Sequence, residues 1–214
     1  MNTALHGLYA ITPSGNTGQL VQQVEQALRG GARLIQYRDK TPNPTLRHNT
    51  AEHLLALTRR HRALLIINDD VALAAAIGAD GVHLGKDDAD LATARAQLGP
   101  NAILGRSCYN ELSLACAAAQ QGADYVAFGR FFPSRTKPDA VPASLELLQQ
   151  AKRELRLPIA AIGGITADNA ASLIGAGADM LAVVDGIFAQ PDIQLAAQNL
   201  QALFDEESPL HVSA

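Results

Sequence analysis

Polar and charged side chains gather in this sequence directly after short apolar runs. Gln36, Arg38 and Lys40 alternate along one extended segment, so all three side chains are predicted to point the same way. Two cations and an amide that converge on one place suit a multiply charged anion. The alternative is an exposed strand end whose charges are simply solvated.

Carboxylates follow the next two apolar runs. Asn68-Asp69-Asp70 comes directly after one run, and Asp88 closely follows the next. Carboxylates from neighbouring strands can share a hard cation, and Mg²⁺ usually takes one or two of them together with water and phosphate oxygens. Alternatively, Asp69 or Asp70 caps the helix that is predicted to begin near Val71.

Two later segments have the composition of phosphate-binding turns. Ser134 to Lys137 offers hydroxyls, amides and a lysine, although such a loop is of ordinary composition by itself. Gly163-Gly164 leads into a predicted helix, where glycines let a phosphate approach the backbone. No Ser–His–Asp arrangement and no strong general base is evident, so the chemistry is predicted to be electrostatic. His83 is expected to face the packed interior rather than a metal.

Apolar runs alternate with segments of helical spacing along the whole chain, which predicts eight strands, each followed by a helix. Strands that are continuously apolar are typical of a parallel sheet covered by helices. Eight such units in 214 residues fit an α/β fold, a single-domain (β/α)₈ TIM barrel over 1–214, with a doubly wound open sheet as the rival. The predicted strands are Leu8–Thr12, Leu34–Arg38, Leu64–Asn68, Gly81–Leu84, Ile103–Arg106, Tyr125–Gly129, Ile159–Ile162 and Met180–Val184.

In such a barrel the carboxyl ends of all strands face one common site, and the polar residues above all lie at those ends. The opposite ends carry Gly-Ala turns, which recur before every second strand and are predicted to end helices, since glycine suits the left-handed position there. The tendency of such turns to favour glycine explains most of the recurrence. The four turns are Gly31-Ala32-Arg33, Gly78-Ala79-Asp80, Gly122-Ala123-Asp124 and Gly177-Ala178-Asp179.

Composition narrows the classes of function. Hydrophobic residues make up 48% of the chain and charged residues 18%, which is typical of a globular protein. The net charge of −4 argues against a nucleic-acid or anionic-membrane surface. Cys108 and Cys116 form no metal-binding pattern and are expected to be reduced thiols. Without a signal peptide or a membrane-length apolar run, a cytoplasmic location is expected, with residues 205–214 as a flexible tail.

The chain resembles the thiamine phosphate synthase family along nearly its whole length. No one of the matching segments is specific alone, but their order along the chain is. They are Leu8-Tyr9-Ala10-Ile11-Thr12, Gln36-Tyr37-Arg38-Asp39-Lys40, Asn68-Asp69-Asp70, Gly81-Val82-His83-Leu84-Gly85, Phe128-Gly129-Arg130-Phe131-Phe132-Pro133, Thr136-Lys137 and Ala161-Ile162-Gly163-Gly164-Ile165.

The resemblance implies a transferase of a pyrimidinylmethyl group. It would condense 4-amino-5-hydroxymethyl-2-methylpyrimidine diphosphate with 4-methyl-5-(2-phosphoethyl)thiazole, or its carboxylated form, to give thiamine monophosphate and pyrophosphate with Mg²⁺ as cofactor. The partners are then small molecules, and a homo-oligomer is left open. The segment from Ser134 to Val141, which has a charged start and contains Pro138, is a candidate lid.

The resemblance also implies roles for individual residues. Asp69 and Asp88 would hold Mg²⁺, and Arg38, Lys40, Ser107 and Lys137 would be catalytic. The pyrimidine diphosphate would be held by Gln36, Arg38, Lys40, Asn68, Ser107 and Lys137, and the thiazole phosphate by Ser134, Thr136, Gly164, Val184 and Asp185. Tyr37, Asp39 and Arg135, within or beside the matching segments, are also expected to contact substrate.

Four positions depart from the family pattern. Lys86 stands where Gln is usual, Tyr109 where His is common, and Ser134 where Thr is usual. Asp185 replaces a Ser at a phosphate-binding turn. A carboxylate beside a phosphate is unfavourable unless it points away or backbone N–H groups make the contact.

Three alternative functions are also compatible with a phosphate-binding barrel. A thiazole tautomerase or one of its regulatory relatives would share the barrel but would not need the full pyrophosphate and Mg²⁺ set. A non-catalytic phosphate-binding barrel is a second alternative. A sugar-phosphate epimerase or aldolase needs a Schiff-base lysine or paired acid–base residues, and the sequence shows no convincing set.

Overall fold

Eight short apolar segments form the strands of a closed barrel in which every neighbouring pair is parallel. The computed structural model describes residues 5–14, 17–86, 88–134 and 141–206. The predicted (β/α)₈ barrel is confirmed, and the open sheet is excluded because β1 pairs with β8. The strands are β1 Gly7–Ile11, β2 Leu34–Tyr37, β3 Leu64–Asn68, β4 Gly81–Leu84, β5 Ile103–Tyr109, β6 Tyr125–Phe128, β7 Ile159–Ile162 and β8 Met180–Val183.

Helices cover the barrel on its outside. β8 is followed by two of them, a short α8 and then α9, where the sequence predicted one. The helices are α1 Thr17–Arg29, α2 Pro44–Arg60, α3 Val71–Ile77, α4 Leu91–Leu98, α5 Leu112–Gln120, α6 Leu145–Glu154, α7 Ala167–Gly175, α8 Asp185–Phe188 and α9 Ile193–Glu206.

Predicted strand ends agree with the structure within one residue, apart from β5. That strand continues past Arg106 through Ser107 to Tyr109, and its pairing with β6 shifts register between Ser107 and Tyr109. The tail predicted from residue 205 begins too early, because α9 runs to Glu206. Residues 207–214 lie outside the described residues.

Apolar side chains form two layers because side chains alternate across each strand. One layer fills the barrel itself and includes Tyr9, Leu34, Ile66 and Tyr125. The larger layer lies between the strands and the helices. Several helices begin where a side chain accepts from one of their free N–H groups. Asp70, for example, accepts from the N–H of Leu73 at 2.9 Å, which confirms that one of the two aspartates after β3 is a helix cap.

The Gly-Ala turns have a structural function that the sequence only hinted at. In three of them the following aspartate accepts a hydrogen bond from the main-chain N–H of a residue in the preceding strand, at 2.7 to 2.9 Å. The pairs are Asp80 with Leu65, Asp124 with Leu104, and Asp179 with Ile159. The fourth turn has Arg33 in this place, and Gln201 of α9 accepts instead from the N–H of Leu8 at 3.0 Å. The amino-terminal end of the barrel is therefore closed by side chains bonded to its own backbone.

Candidate active site

A cavity of about 480 Å³ opens at the carboxyl ends of the strands. This volume is within the range of small-molecule sites, and the end of the barrel is the one where TIM-barrel active sites lie. Eight of the residues predicted to be functional line the cavity. They are Gln36, Arg38, Asn68, Ser107, Ser134, Gly164, Val184 and Asp185.

The end of β2 brings an amide and a guanidinium into the cavity. Gln36 is buried, and its Nε2 donates to the hydroxyl of Tyr9 at 2.7 Å. The backbone of Arg38 is fixed by Thr12, whose hydroxyl accepts from the Arg38 N–H at 2.9 Å, and the guanidinium donates to Ser14 at 3.0 Å. Lys40 lies beyond the strand end, where it is exposed and close enough to Asp69 to lower the pKa of that carboxyl.

Tyr37 and Asp39, which were predicted to contact substrate, are not among the residues that line the cavity. Tyr37 points outward into the layer between strands and helices, where it is 1% exposed. Its hydroxyl donates to Asp39 at 2.9 Å, and Asp39 also accepts from the N–H of Thr41 at 2.9 Å. The alternation that places Gln36 and Arg38 inside the barrel necessarily places the residues between and after them elsewhere.

The two carboxylates predicted to hold a metal lie side by side, although neither is among the residues that line the cavity. Asp69 and Asp88 are within hydrogen-bonding reach of each other, and one oxygen of Asp88 accepts from the N–H of Gly85 at 2.6 Å. Burial, and then the neighbouring Asp88, raise the pKa of Asp69 to about 6. Two facing carboxylates of this kind carry a charge that a divalent cation would offset, so the residues fit Mg²⁺. Within the described residues, no cluster of three or more His, Cys, Asp or Glu is arranged to hold a metal.

A chain of hydrogen-bonded side chains crosses the floor of the cavity. The hydroxyls of Tyr9 and Tyr125 are 2.7 Å apart, and Tyr125 lies 2.9 Å from Nδ1 of His83. His83 Nε2 lies 2.9 Å from the hydroxyl of Ser107. His83 thus faces the barrel interior as predicted, and it also lines the cavity.

The loops after β6, β7 and β8 form the other wall. Gly164 has φ of 63°, and a Cβ there would lie 2.3 Å from the carbonyl oxygen of Pro133. Glycine is therefore required by the close packing of these two loops, whether or not a phosphate approaches. Asp185 begins the short α8 and lines the cavity together with Val184.

Some predicted residues cannot be placed. Arg135, Thr136 and Lys137 lie outside the described residues, as does most of the candidate lid from Ser134 to Val141. Their predicted contacts with substrate stay predictions.

Sequence reasoning missed several residues of the cavity. Tyr9, Arg130 and Gln190 line it, although none was predicted to be functional, and Tyr109 was noted only as a departure from the family pattern. For Tyr9 a signal existed, because it alternates with Ile11 in β1 and both therefore face the barrel interior. Arg130 follows β6 and Gln190 follows the short α8, and in such loops no periodicity indicates the direction of a side chain.

Fold and cavity together define a (β/α)₈ barrel enzyme with cationic, amide and hydroxyl groups at the carboxyl ends of its strands. A family model described as thiamine monophosphate synthase matches residues 8–187. The chain therefore belongs to the thiamine monophosphate synthase family, whose members are transferases of thiamine biosynthesis. Within the described residues, no helix combines the length and apolar character that crossing a membrane requires.

Individual relatives agree with this assignment. A thiamine-phosphate synthase of Thioalkalivibrio sulfidiphilus is 55% identical over 94% of this chain and 96% of its own length. One of Methylobacillus flagellatus is 56% identical, with the same coverage of both chains. The solved thiamine phosphate pyrophosphorylase of Pyrococcus furiosus is 35% identical, with a TM-score of 0.86 over 95% of this chain and 98% of the other.

Proposed function

We propose that this chain joins 4-amino-5-hydroxymethyl-2-methylpyrimidine diphosphate to 4-methyl-5-(2-phosphoethyl)thiazole, with the carboxylated thiazole as an alternative substrate. The products are thiamine monophosphate and pyrophosphate. The observation that carries the proposal is the division of one cavity into two polar walls. Gln36, Arg38, Asn68 and Ser107 line one, and the loops of Ser134, Gly164 and Asp185 line the other.

The first wall suits the pyrimidine diphosphate. The Arg38 guanidinium and the Ser107 hydroxyl are donors for diphosphate oxygens, and Lys40 adds positive charge outside the strand end. Asp69 and Asp88 would hold Mg²⁺, which would supply further positive charge to the leaving group. Gln36 lies deeper, beside Tyr9, and is positioned to contact the pyrimidine ring.

The second wall suits the thiazole phosphate. Loops after strands 7 and 8 are a common phosphate site in TIM barrels. The Asp185 carboxylate would repel a phosphate, so we assign the contact there to backbone N–H groups and to the Ser134 hydroxyl. The thiazole nitrogen then faces the carbon that loses its diphosphate.

The chemistry needs no covalent nucleophile. Departure of pyrophosphate leaves a cation that the electron-rich aminopyrimidine stabilises by resonance, and the thiazole nitrogen then bonds to that carbon. The protein neutralises the leaving group and holds the two rings in line, which are the electrostatic and positioning contributions that dominate such reactions. We place the reaction in the cytoplasm, since Cys108 and Cys116 are both unpaired.

One assay tests the function. The purified chain is mixed with both substrates and Mg²⁺, and thiamine monophosphate and pyrophosphate are measured together. We expect both products in equal amounts, and none when Mg²⁺ is chelated. Folded protein that releases neither product would contradict the proposal, and isomerisation of a thiazole tautomer alone would indicate the tautomerase instead.

A further inference from the structure

Five side chains from five strands form one unbroken hydrogen-bonded chain below the substrate cavity. The order is Gln36, Tyr9, Tyr125, His83 and Ser107, with separations of 2.7, 2.7, 2.9 and 2.9 Å. We call these five residues the floor chain. Its two ends, Gln36 and Ser107, line the cavity, and its middle member Tyr125 is fully buried.

Burial makes the hydrogen bonds of the floor chain depend on one another. Tyr9 is 1% exposed and Tyr125 is 0% exposed, so a hydroxyl hydrogen without an acceptor would be costly there. Burial also raises the pKa of both tyrosines well above the ordinary value, so each keeps the single hydrogen it can donate. The direction of one bond therefore fixes the direction of the next.

With a neutral His83, two directions give each tyrosine hydroxyl an acceptor for its hydrogen. In the first, Gln36 donates through Nε2 to Tyr9, Tyr9 donates to Tyr125, and Tyr125 donates to Nδ1 of His83. His83 then carries its hydrogen on Nε2 and donates to Ser107. In the second direction every bond is reversed, and Ser107 donates to His83.

The two directions offer opposite groups to a ligand. In the first, the Gln36 amide presents its oxygen to the cavity, and the Ser107 hydroxyl is free to donate its hydrogen. In the second, Gln36 presents its NH₂ group, and the Ser107 hydrogen is held by His83. The Gln36 amide has its nitrogen on Tyr9, which is the arrangement of the first direction, and the geometry of the other three bonds is compatible with either direction.

We infer that Tyr9 and Tyr125 are positioning residues that commit Gln36 to accept, and Ser107 to donate, a hydrogen bond at the bound ligand. A Gln36 oxygen accepts from the exocyclic amino group of an aminopyrimidine but faces lone pairs on a 4-oxo pyrimidine. The floor chain therefore selects the 4-amino ring. This selectivity rests on the proposed function, whereas the hydrogen-bond direction does not.

Packing holds the centre of the floor chain in place. The Tyr125 ring stacks on His83 with ring centroids 5.5 Å apart and meets Tyr9 edge-on at 5.9 Å. A Cβ at Gly105 would lie 2.1 Å from Cζ of Tyr125, so the absence of a side chain there leaves room for this ring. These contacts restrict the rings, so with a neutral His83 the hydroxyl hydrogens have the two arrangements described.

The direction is tested by the tautomer of His83, read from the ring ¹⁵N signals of the whole chain labelled at histidine. His83→Gln identifies the signals. We expect hydrogen on Nε2 and none on Nδ1 in the wild type, and loss of this preference in Tyr125→Phe. Tyr37→Phe, a buried tyrosine outside the floor chain, is the matched control and should leave the pattern unchanged.

Selectivity is tested by kinetics with the 4-amino and 4-oxo pyrimidine diphosphates. In Tyr9→Phe the Gln36 amide loses its partner and can turn, so the ratio of the two kcat/KM values should fall at least about tenfold. Tyr37→Phe should keep the wild-type ratio.

Two results would overturn the inference, and neither depends on the other. Hydrogen on Nδ1 of His83 in the wild type would show that the floor chain does not have the first direction. This result needs only the wild type, so it holds even if Tyr125→Phe does not fold. An unchanged selectivity ratio in Tyr9→Phe would remove the positioning role. Absence of any product from either pyrimidine would count against the proposed function while leaving the tautomer reading intact.

Discussion

The two ends of the barrel use similar side chains for different purposes. At the amino-terminal end, Asp80, Asp124, Asp179 and Gln201 each accept a hydrogen bond from a main-chain N–H of a strand. At the carboxyl end, carboxylate, amide and hydroxyl groups border a cavity of about 480 Å³. The acceptors at the amino-terminal end have their partners within the protein, whereas those at the carboxyl end face a space that a ligand can fill.

This difference separates stability from activity. Loss of an acceptor at the amino-terminal end leaves a backbone N–H without its partner, which lowers the free energy of unfolding. Loss of a donor at the cavity leaves the fold intact, since the group is solvated without ligand, and should affect the transition state instead. Paired substitutions at the two ends can test whether the separation holds.

The largest difference is expected between the two arginines that flank β2, Arg38 at the cavity and Arg33 at the opposite end. Arg38→Ala removes a donor for the diphosphate and should lower kcat/KM about 100-fold or more, with the free energy of unfolding changed by less than about 0.5 kcal/mol. Arg33→Ala, at the exposed opposite end of the same strand, is the control and should keep the wild-type kcat/KM. Equal losses in both variants would mean that the two ends are not functionally distinct.

The next effect concerns stability alone. Asp124 accepts from the N–H of Leu104 at 2.8 Å and pairs with Arg95 at 2.7 Å. Asp124→Ala should therefore lower the free energy of unfolding by about 2 kcal/mol, measured by urea denaturation. The exposed Asp168→Ala serves as the control, with a change of less than about 0.5 kcal/mol. An Asp124→Ala enzyme that stays stable but loses turnover would contradict the comparison.

Asp69, at the carboxyl end of the barrel, lowers the free energy of unfolding when it is ionised. Its pKa of about 6 lies above the ordinary 3.8, so the native state favours the protonated carboxyl. Stability is therefore lost as pH rises from about 4 to about 6, and the loss is complete above that window. Without divalent cations, Asp69→Asn should exceed the wild type by about 1 kcal/mol at pH 8, a value reduced for solvent screening of a half-buried group, and by nothing at pH 4.

Added Mg²⁺ should make the wild type more stable than Asp69→Asn at pH 8. Thermal unfolding at pH 8 should show the wild type stabilised by added MgCl₂ and Asp69→Asn unaffected, because ligand binding to the native state alone raises stability. If both proteins respond equally to Mg²⁺, the Asp69–Asp88 pair does not hold the cation.

Local pattern predicted the barrel well, since its eight apolar runs and helical spacings are short-range features. The same reasoning found the residues that face the cavity in β2, because alternation fixes the direction of Gln36 and Arg38. It does not place Tyr37 and Asp39 at the cavity, because they share the matching segment with Gln36 and Arg38 but not the face. Similarity along a segment does not distinguish the two sides of a strand.

The floor chain was beyond prediction for a different reason. Its five members lie on five strands, and two of them in direct contact, Tyr9 and Tyr125, are 116 residues apart in the chain. No spacing within one element marks them, and only closure of the barrel brings their polar atoms together. His83 could be assigned to the interior, but its partners could not be named.

The smallest effect tests why one Gly-Ala turn differs from the other three. In three of the turns the aspartate makes two bonds to the preceding strand: its N–H donates to a strand carbonyl, and its carboxylate accepts from a strand N–H. Arg33, at the same position of the fourth turn, makes only the first bond, from its N–H to the carbonyl of Leu8. Gln201→Ala should lower the free energy of unfolding by about 1 kcal/mol, because the Leu8 N–H loses its acceptor. Adding Arg33→Asp to that variant should restore about half of the loss, since the new carboxylate takes the position that aspartate has in the other turns. Arg33→Asp alone should have no such benefit, because Gln201 already occupies the N–H. A double variant no more stable than Gln201→Ala would show that the four turns are not equivalent and that the amino-terminal end is closed differently at β1.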